Sequence, residues 1–337
     1  MPSYQPPFEL THRMTVAMTN IAELLGAWKA SQQNTLLPEL RRGNRIRTIQ
    51  ASLAVEQNTL TLDQVTAVLE GKTVLGSQRE IQEVRNAFAA YETMEHWQPH
   101  QQDHLLAAHA IMMAGLIEDA GHWRSGGVGV LAGDQVVHMA PPASQVPRLM
   151  QDLLEWLATT NAHPLIASAA FHYEFEFIHP FSDGNGRMGR LWQTLILSRW
   201  QPVLAYLPVE TVIKRRQQAY YDQLAVADAL ADCSNFIEFI LTAIEESLRE
   251  AINPQHHTKT PGKTLVKTPG KTPDVILSLL RDAPELSIPQ LAASLGKSQS
   301  AIERAIRKLR EAGRLKRIGP DKGGHWQVLD EIPTNRP

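Results

Sequence analysis

Cysteine and long apolar runs are the features that this 337-residue sequence has least of. Its single cysteine, Cys233, excludes an intrachain disulfide and disfavours a structural zinc site, and its amphipathic helical surroundings predict a small core residue. No run of about 18 apolar residues is present, and residues 1–10 have neither the basic nor the apolar region of a secretory signal. We therefore expect no membrane partner and a cytoplasmic location.

Two common ligand-binding motifs are also absent. The sequence has neither a GxxxxGK[ST] phosphate-binding loop nor an HExxH zinc motif. His100, His104 and His109 are therefore interpreted as structural or surface residues rather than metal ligands. A phosphate site, if there is one, is not a P-loop.

Charge is balanced over the whole chain but not along it. Residues 255–337 carry a net charge of +7 and the preceding residues one of −9, which predicts two regions with different partners. Between them the sequence KTPGKT occurs at 259–264 and again at 267–272. A Lys/Thr/Pro/Gly repeat of this kind cannot form a packed core, so we interpret residues 251–272 as a linker.

Helical periodicity dominates the first 250 residues. Pro180 predicts that the helix before it ends ahead of His179, so we expect His172 to be a packing residue. The segments with a helical pattern are 11–30, 40–55, 65–120, 147–157, 164–177, 191–200, 211–224 and 236–248. Residues 126–140 break the pattern with two short β-type runs around a Gly-Asp turn, which predicts a hairpin.

The stretch with the most chemistry is residues 179–190, which read HPFSDGNGRMGR and open a helix. Glycines and a helix N-terminus attract an anion, and two arginines three apart on one helix face can clamp phosphate oxygens. Asp183 has the chemistry to hold Mg²⁺ against such a phosphate. His179 titrates near neutral pH, so it is the candidate general base. Phe181 is expected to anchor the loop in the core.

This string resembles, at every defined position, the HPFxDGNGRxxR signature of Fic-domain proteins, which mostly transfer AMP from ATP to a protein hydroxyl. The resemblance implies a mainly α protein: a Fic-type helical bundle with a β-hairpin flap. It also implies ATP as substrate, Mg²⁺ on Asp183, His179 as base, Asn185 at the α-phosphate, and Arg187 and Arg190 on the β- and γ-phosphates. The nucleotide-binding residues that it implies are Gly184, Asn185, Gly186, Arg187, Met188, Gly189, Arg190 and Tyr221. For Tyr221, core packing is an equal alternative.

Residues 52–58, SLAVEQN, resemble the inhibitory [S/T]xxxE[G/N] motif of many Fic proteins. The resemblance implies that Ser52 and Glu56 are the inhibitory residues of this chain. Glu56 would pair with Arg190 and withdraw it from the γ-phosphate. Gln57 departs from the usual Gly or Asn. The alternative is a solvated glutamate near a helix end.

The hairpin at residues 126–140 corresponds to the flap that in Fic proteins holds the target segment as an added strand. Strand addition suits an enzyme that modifies protein side chains, because the backbone hydrogen bonds require little of the target's sequence. The alternative is a surface hairpin without function. The expected acceptor is a Ser, Thr or Tyr hydroxyl of a target protein or of the chain itself.

Residues 273–330 resemble a winged helix-turn-helix domain in the order of their predicted helices and β-wing. The resemblance implies DNA as a partner, and the basic residues that would meet it are Arg304, Arg307, Lys308, Arg310, Lys316, Arg317 and Lys322. The acidic residues Glu303 and Glu311 reduce the net positive charge of the third helix of this domain. A protein-docking or dimerisation module is the alternative.

The predicted organisation is a helical N-terminal region, 1–100, a Fic core, 101–250, the linker and the winged helix. Three other functions stay open. Glu56 near Mg²⁺ can serve AMP removal instead of addition, a relative of this kind can transfer a phosphate or phosphocholine, and the chain can be a DNA-binding regulator that senses nucleotide. A homodimer also stays open, as does the question whether Glu56 acts within one chain or across a subunit contact.

Overall fold

The computed structural model describes residues 4–31, 38–132 and 135–252, and toward the C-terminus residues 276–277, 280–281, 284, 287–288, 291, 299–318 and 325–329. The chain forms two compact units, Met1–His257 and Thr258–Pro337. From residue 253 onward the predicted linker lies outside the described residues, as do parts of the predicted helices at 275–281 and 288–295 and the wing turn with Lys322.

The first unit is a helical bundle with one hairpin. Its helices are α1 His12–Ser31, α2 Pro38–Val55, α3 Leu62–Leu69, α4 Gln78–Thr93, α5 Gln102–Met112, α6 Val146–Thr159, α7 Pro164–Ile178, α8 Asn185–Trp200, α9 Val209–Arg215, α10 Gln217–Leu230 and α11 Ser234–Ile252. Short 3₁₀ turns at Met94–His96, Ala143–Gln145 and Pro202–Tyr206 join some of them.

Several helix starts follow from local sequence. Thr61 and Gln64 form a reciprocal capping box at the start of α3, and Ser77 and Glu80 form another at α4. Proline lies in the first turn of α6 and of α7, where its fixed φ suits a helix and its missing N–H costs nothing.

Two of the predicted helical stretches were wrong in extent. Residues 65–120 are interrupted at 70–77, at 97–101 and from 113 onward. Gly71 takes positive φ directly after the cap of α3, and Gly115 takes positive φ in the turn that follows α5. The helix predicted over 211–224 is divided at Arg216, whose φ of −113° and ψ of 32° are not helical. A period of 3.6 residues continues across such breaks, so it does not reveal them.

The centre of the bundle is the pair α7 and α8, which pack against each other. Nearly every residue of α7 is buried, as expected of a helix that is apolar on all sides. Trp192 on α8 and Phe171 on α7 are among the largest fully buried side chains. Around this pair, α1 packs on α11, and α2 packs on α9 and α4. Cys233 is buried in the core, as predicted.

The predicted hairpin is present, with β1 Gly129–Ala132 antiparallel to β2 Gln135–Met139. Val130 pairs with His138 and Leu131 with Val136, so the register shifts between the two pairs. The Gly-Asp turn at 133–134 lies outside the described residues.

The second unit contains α12 Gln299–Glu311 and the antiparallel strands β3 Leu315–Ile318 and β4 His325–Val328. Its own small core includes Ile276, Leu291, Ile306 and Trp326. In the part of the chain that the structure describes, no helix combines the length and the apolar character needed to cross a bilayer.

Candidate active site

The loop between α7 and α8 begins with a strained residue. His179 caps α7 with φ 50° and ψ 60°, the left-handed region that residues other than glycine seldom occupy. Its Nδ1 lies 3.2 Å from the carbonyl oxygen of Glu176. A carbonyl can only accept, so in the neutral imidazole Nδ1 carries the proton and Nε2 keeps its lone pair. The local fold therefore favours the tautomer in which Nε2 can accept a proton.

Buried side chains hold the loop between α7 and α8 in place. The side-chain oxygen of Asn185 accepts from the amide of Phe181 at 2.9 Å, and its nitrogen donates to the carbonyl of Phe181 at 2.9 Å. Phe181 is fully buried, which confirms the predicted anchor. We expected the Asn185 side chain to face the α-phosphate; instead both of its polar atoms close the loop, because a buried four-residue turn needs its backbone groups satisfied.

His109 supports the same loop, and its position was not predicted from the sequence. Its ring stacks on Phe181 with centroids 3.5 Å apart, Nε2 lies 3.0 Å from the carbonyl of Asp183, and Nδ1 accepts from the amide of Gly121 at 2.9 Å. Burial lowers the pKa of His109 to about 4, so it is neutral at pH 7. It is a structural histidine, as expected, but one that shapes the site.

Gly184 begins α8 with φ 87°, and a Cβ there would lie 2.7 Å from Sδ of Met113. Glycine is therefore required on both conformational and steric grounds. The first amides of α8 point out of the helix N-terminus beside this loop, where they favour an anion. Two further predicted nucleotide residues, Met188 and Gly189, lie on the next turn of α8 in a packed environment. Met188 is fully buried, and a Cβ on Gly189 would come 2.7 Å from Glu176.

The two signature arginines are almost completely buried, with 4% and 1% of Arg187 and Arg190 exposed. Arg187 Nη2 lies 2.9 Å from Asp183 and its Nη1 3.4 Å from Glu83. Among the described residues, Nε of Arg187 and Nη1 of Arg190 have no hydrogen-bond partner. Buried guanidinium donors without partners fit a phosphate as the missing acceptor.

Asp183 stands at the mouth of the site with 39% of its side chain exposed. Its Oδ1 accepts from the amide of Gly184 at 2.6 Å, and its Oδ2 lies 2.8 Å from Nη2 of Arg79. No group of three or more His, Cys, Asp and Glu side chains suited to a metal occurs among the described residues. A partly exposed carboxylate next to the N-terminus of α8 is the kind of single protein ligand that suits Mg²⁺, which keeps waters and binds phosphate oxygens.

The predicted inhibitory residues meet Arg190 within one chain. Glu56 Oε1 lies 2.8 Å from Nη2 of Arg190, whose Nε and Nη2 also donate to the side chain and carbonyl of Ser52, each at 3.0 Å. Burial alone would lower the pKa of Arg190, but the adjacent Glu56 carboxylate raises it above its ordinary value. A Cβ on Gly186 would fall 2.2 Å from the Glu56 oxygen, so Gly186 permits this approach.

The end of α2 is fixed by polar contacts to α4. Gln57 has φ 67°, the left-handed region that explains why Gly or Asn is usual at this motif position. Asn58 accepts from the amide of Leu60 at 3.1 Å and donates to Glu83 at 2.8 Å. Arg79 and Glu83 were missed from the sequence. Only their i,i+4 spacing, which indicates one helix face, was available as a signal.

Tyr221 lies at the rim of the site. It is 38% exposed, and its hydroxyl donates to the carbonyl of Val55 at 3.3 Å. It therefore contacts the end of the predicted inhibitory helix, and its ring also packs edge-on against the buried Tyr220 at a centroid distance of 5.3 Å. His172 is fully buried and hydrogen-bonds Gln193 and Tyr220, which confirms it as a packing residue.

Comparisons with known proteins agree with this geometry. The sequence model described as "Fic/DOC family" matches residues 99–197, and the one described as "Winged helix-turn-helix DNA-binding" matches residues 275–316. The chain is 29% identical over 250 residues to protein adenylyltransferase fic-1 of Caenorhabditis elegans, covering 70% of this chain and 46% of that protein. To protein adenylyltransferase Fic of Aedes aegypti it is 29% identical over 229 residues, covering 65% and 44%. The chain thus spans about half the length of the curated relatives it matches.

A solved structure matches along the whole chain. The crystal structure of a Fic family protein from Desulfovibrio desulfuricans G20 has a TM-score of 0.72 and 49% identity, over 98% of this chain and 99% of that one. The C-terminal unit, with its helix and two-stranded wing, accordingly has the winged helix fold that the sequence predicted. Identity of this degree over essentially the full length of both chains shows that the protein belongs to the Fic family.

Proposed function

We propose that this protein is an adenylyltransferase that transfers AMP from ATP to a Ser, Thr or Tyr hydroxyl of a protein and is inhibited by its own Glu56. The observation that carries the proposal is the convergence of His179, Asp183, Arg187 and Arg190 around one glycine turn at the N-terminus of α8. The names of the adenylyltransferase relatives support the same activity.

In the proposed reaction, Nε2 of His179 takes the proton of the acceptor hydroxyl. The hydroxyl oxygen forms a bond to the α-phosphorus while the bond from that phosphorus to the bridging oxygen of pyrophosphate breaks. Arg187 and Arg190 hold the β- and γ-phosphates, and the first amides of α8 stabilise charge on the phosphates. Mg²⁺ held by Asp183 would neutralise phosphate charge.

Inhibition would follow because Glu56 and the γ-phosphate of ATP compete for the guanidinium of Arg190. While Glu56 and Ser52 occupy Nη2 and Nε of Arg190, only Nη1 is left to bind a γ-phosphate. The carboxylate would also repel that phosphate. ATP is then expected to bind weakly, or in a pose in which the α-phosphorus does not face the hydroxyl.

The flap is the proposed docking site for the acceptor. The β1–β2 pair is a two-stranded sheet with outer edges to which an extended segment can add by backbone hydrogen bonds. The expected partner is therefore a protein with a hydroxyl in an extended, accessible segment.

The test is transfer of label from α-labelled ATP with Mg²⁺ to protein, in the pure protein and in cell lysate. Three forms are compared: wild type, Glu56→Gly and Glu56→Gly/His179→Ala. We expect label to rise with Glu56→Gly and to fall about 10²- to 10⁴-fold when His179 is also removed. If protein is labelled by γ-labelled ATP and not by α-labelled ATP, the protein transfers phosphate rather than AMP. Equal labelling with and without His179 would exclude the proposed base.

AMP removal is a second candidate, favoured by the position of Glu56 directly over the first turn of α8. There a carboxylate can orient a water toward a phosphoryl group. The protein would be incubated with its own AMP-modified form, with Mg²⁺ and without ATP. Release of free AMP by wild type, abolished by Glu56→Gln, is the result that this candidate requires.

DNA binding by the winged helix is a proposal that the family match of residues 275–316 supports. The basic side chains Arg307, Lys308 and Arg310 on α12 are exposed, and phosphate contacts of this kind dominate nonspecific affinity. We expect the full chain to bind a DNA duplex, and Arg307→Ala/Lys308→Ala to weaken the binding and reduce its salt dependence. If these substitutions leave the affinity for DNA unchanged, the winged helix is assigned to protein docking instead.

A further inference from the structure

The candidate active site has a buried cation that the proposed reaction does not use. Arg124, between α5 and the flap, is 3% exposed. Within the described parts of the chain no carboxylate lies at ion-pair distance from it, and burial lowers its pKa without the compensation that a nearby carboxylate would give. A buried guanidinium normally has an acidic partner, so its location here needs another explanation.

Carbonyl oxygens replace the carboxylate. Nε of Arg124 donates to the carbonyl of His179 at 2.7 Å, and Nη1 donates to that of Gly126 at 2.9 Å. Nη2 donates to the carbonyl of Pro141 at 2.5 Å and to that of Ile178 at 3.3 Å. All three guanidinium nitrogens are therefore used, and each hydrogen bond is strengthened by the positive charge.

These carbonyls belong to two parts of the proposed machinery. Ile178 and His179 are the end of α7 and the base itself, whereas Gly126 and Pro141 precede β1 and follow β2. The main chain adds a further contact, since the amide of Arg124 donates to the carbonyl of Pro180 at 3.0 Å. One rigid, planar group thus joins both roots of the flap to the backbone of the base.

We propose that Arg124 is a positioning residue that sets the distance and orientation between the flap and His179. The inference rests on the proposed AMP transfer, because only a reaction with a flap-bound acceptor requires the acceptor hydroxyl and the base to be held together. Among the described residues, Arg124 makes no hydrogen bond or ion pair with Asp183, Arg187 or Arg190, so it serves the acceptor side and not the phosphate clamp.

A rigid bridge is necessary for a geometric reason. General-base catalysis requires the accepting nitrogen within about 3 Å of the hydroxyl, and a displacement of about 1 Å can cost 10²-fold in rate. A two-stranded hairpin alone is only marginally ordered. Its roots must therefore be fastened to the loop that carries the base, and a four-way hydrogen-bonded guanidinium does this.

The test compares Arg124→Gln and Arg124→Lys with Arg148→Gln as a control, all in the full chain with Glu56→Gly. Arg148 is an exposed arginine on the neighbouring α6, with 64% of its side chain accessible. Three quantities are measured: amide hydrogen exchange by mass spectrometry, the Kd of Mg-ATP by calorimetry, and AMP transfer to the protein itself.

For Arg124→Gln we expect exchange to rise about tenfold in peptides spanning 126–141 and 178–182, with peptides from α1 and α11 unchanged. The Kd of Mg-ATP should stay within about twofold, while transfer falls at least about tenfold. Arg124→Lys keeps the charge but not the planar fork, so it should be intermediate in both exchange and transfer. The control should match the parent.

Three outcomes would overturn the inference: unchanged exchange in the flap peptides, faster exchange throughout the first unit, or an ATP affinity that falls as far as transfer does. The last two would make Arg124 a general structural residue. Should Arg124→Gln not fold, Arg124→Lys alone decides by the same readings. Hydrogen exchange needs no turnover, so a parent protein inactive with ATP would refute the proposed function without affecting this measurement.

Discussion

The guanidinium of Arg190 and the carboxylate of Glu56 lie 2.8 Å apart although 134 residues separate them in the sequence. Arg190 is 1% exposed and Glu56 34%, so the pair is a buried cation closed by a half-exposed anion. Removing the anion leaves the cation without its strongest partner and makes it available to a phosphate.

Glu56→Gly is therefore expected to lower stability and raise ATP affinity together. The unpaired Arg190 should cost about 1–3 kcal/mol in unfolding free energy, less than for a fully buried pair because Glu56 is partly solvated. Calorimetry should show tighter Mg-ATP binding and a larger ATP-induced rise in Tm than in wild type. Glu23→Gly, at an exposed position of α1, is the control for the loss of a glutamate away from the site and should leave the ATP affinity unchanged. Unchanged ATP affinity would mean that Glu56 does not restrain the arginine.

Asn185→Ala should disorder the loop that carries His179. The substitution leaves the amide and carbonyl of Phe181 without their 2.9 Å partners inside a buried turn. A loss of about 1–3 kcal/mol is expected for such unsatisfied groups, and the Tm should fall accordingly. Asn235→Ala at an exposed position serves as the control. A Tm equal to that of the control would show that the loop does not depend on this side chain.

Gln57→Gly should stabilise the protein. Gln57 has φ 67°, where glycine avoids a steric cost of about 1–2 kcal/mol but loses more chain entropy on folding, so we expect a net gain of about 0.5–1 kcal/mol. Ala54→Gly in the regular part of α2 should do the opposite, by about 1 kcal/mol. Thermal unfolding without nucleotide measures both. A Tm lowered by Gln57→Gly would mean that the Gln57 side chain makes a stabilising contact.

Arg79→Gln should reduce the Mg²⁺ concentration needed for ATP binding. Nη2 of Arg79 lies 2.8 Å from Oδ2 of Asp183, so the guanidinium and the metal compete for one carboxylate. Titrations of ATP at several Mg²⁺ concentrations should show half-saturation about two- to fivefold lower than in wild type, a modest effect because the pair is exposed. Arg85→Gln on the same helix is the matched control. A higher Mg²⁺ requirement would instead assign Arg79 to the nucleotide.

Stability should fall as pH rises from about 4.5 to 7 because of Glu174. Burial, and secondarily the charge of Asp228, raise the pKa of Glu174 from 4.5 to about 7, against a hydrogen bond from Tyr4 that lowers it. The folded state thus binds the Glu174 proton more tightly than the unfolded chain does. The contribution of Glu174 to stability is therefore fully present below pH 4.5 and is lost as the pH rises to 7. The decrease is on the order of 3 kcal/mol.

Glu174→Gln should remove this slope, and the exposed Glu155→Gln should keep it. Calorimetric unfolding at pH 5 and at pH 8 provides the measurement. A slope identical in Glu174→Gln and wild type would assign the pH dependence to other groups.

Local signals predicted a large part of the fold. The end of α7 before Pro180 and the hairpin at residues 126–140 depend on interactions within a few residues, so the sequence contains their whole cause. Where a break had no such marker, as at Arg216 between α9 and α10, the period of apolar residues continued and the prediction was wrong.

The residues of the candidate site likewise fall into those that the sequence predicted and those that it did not. His179, Asp183, Arg187 and Arg190 lie within one twelve-residue motif, and their grouping follows from a loop that opens a helix. Arg79 is 104 residues from Asp183 and was not predicted to meet it.

The sequence alone determined the helical character of the first unit, the hairpin, the glycine turn that precedes α8 and the motif that contains Glu56, because each is a local pattern of hydrogen bonding, periodicity or residue type. The tertiary structure alone decided that Arg79 reaches Asp183, that His109 stacks on Phe181 and that Arg124 joins the residues flanking the hairpin to the backbone of His179. These contacts arise because α4 and α5 pack beside the start of α8 and the loop after α5 lies against the end of α7. Such packing brings together polar groups that no spacing along the chain relates.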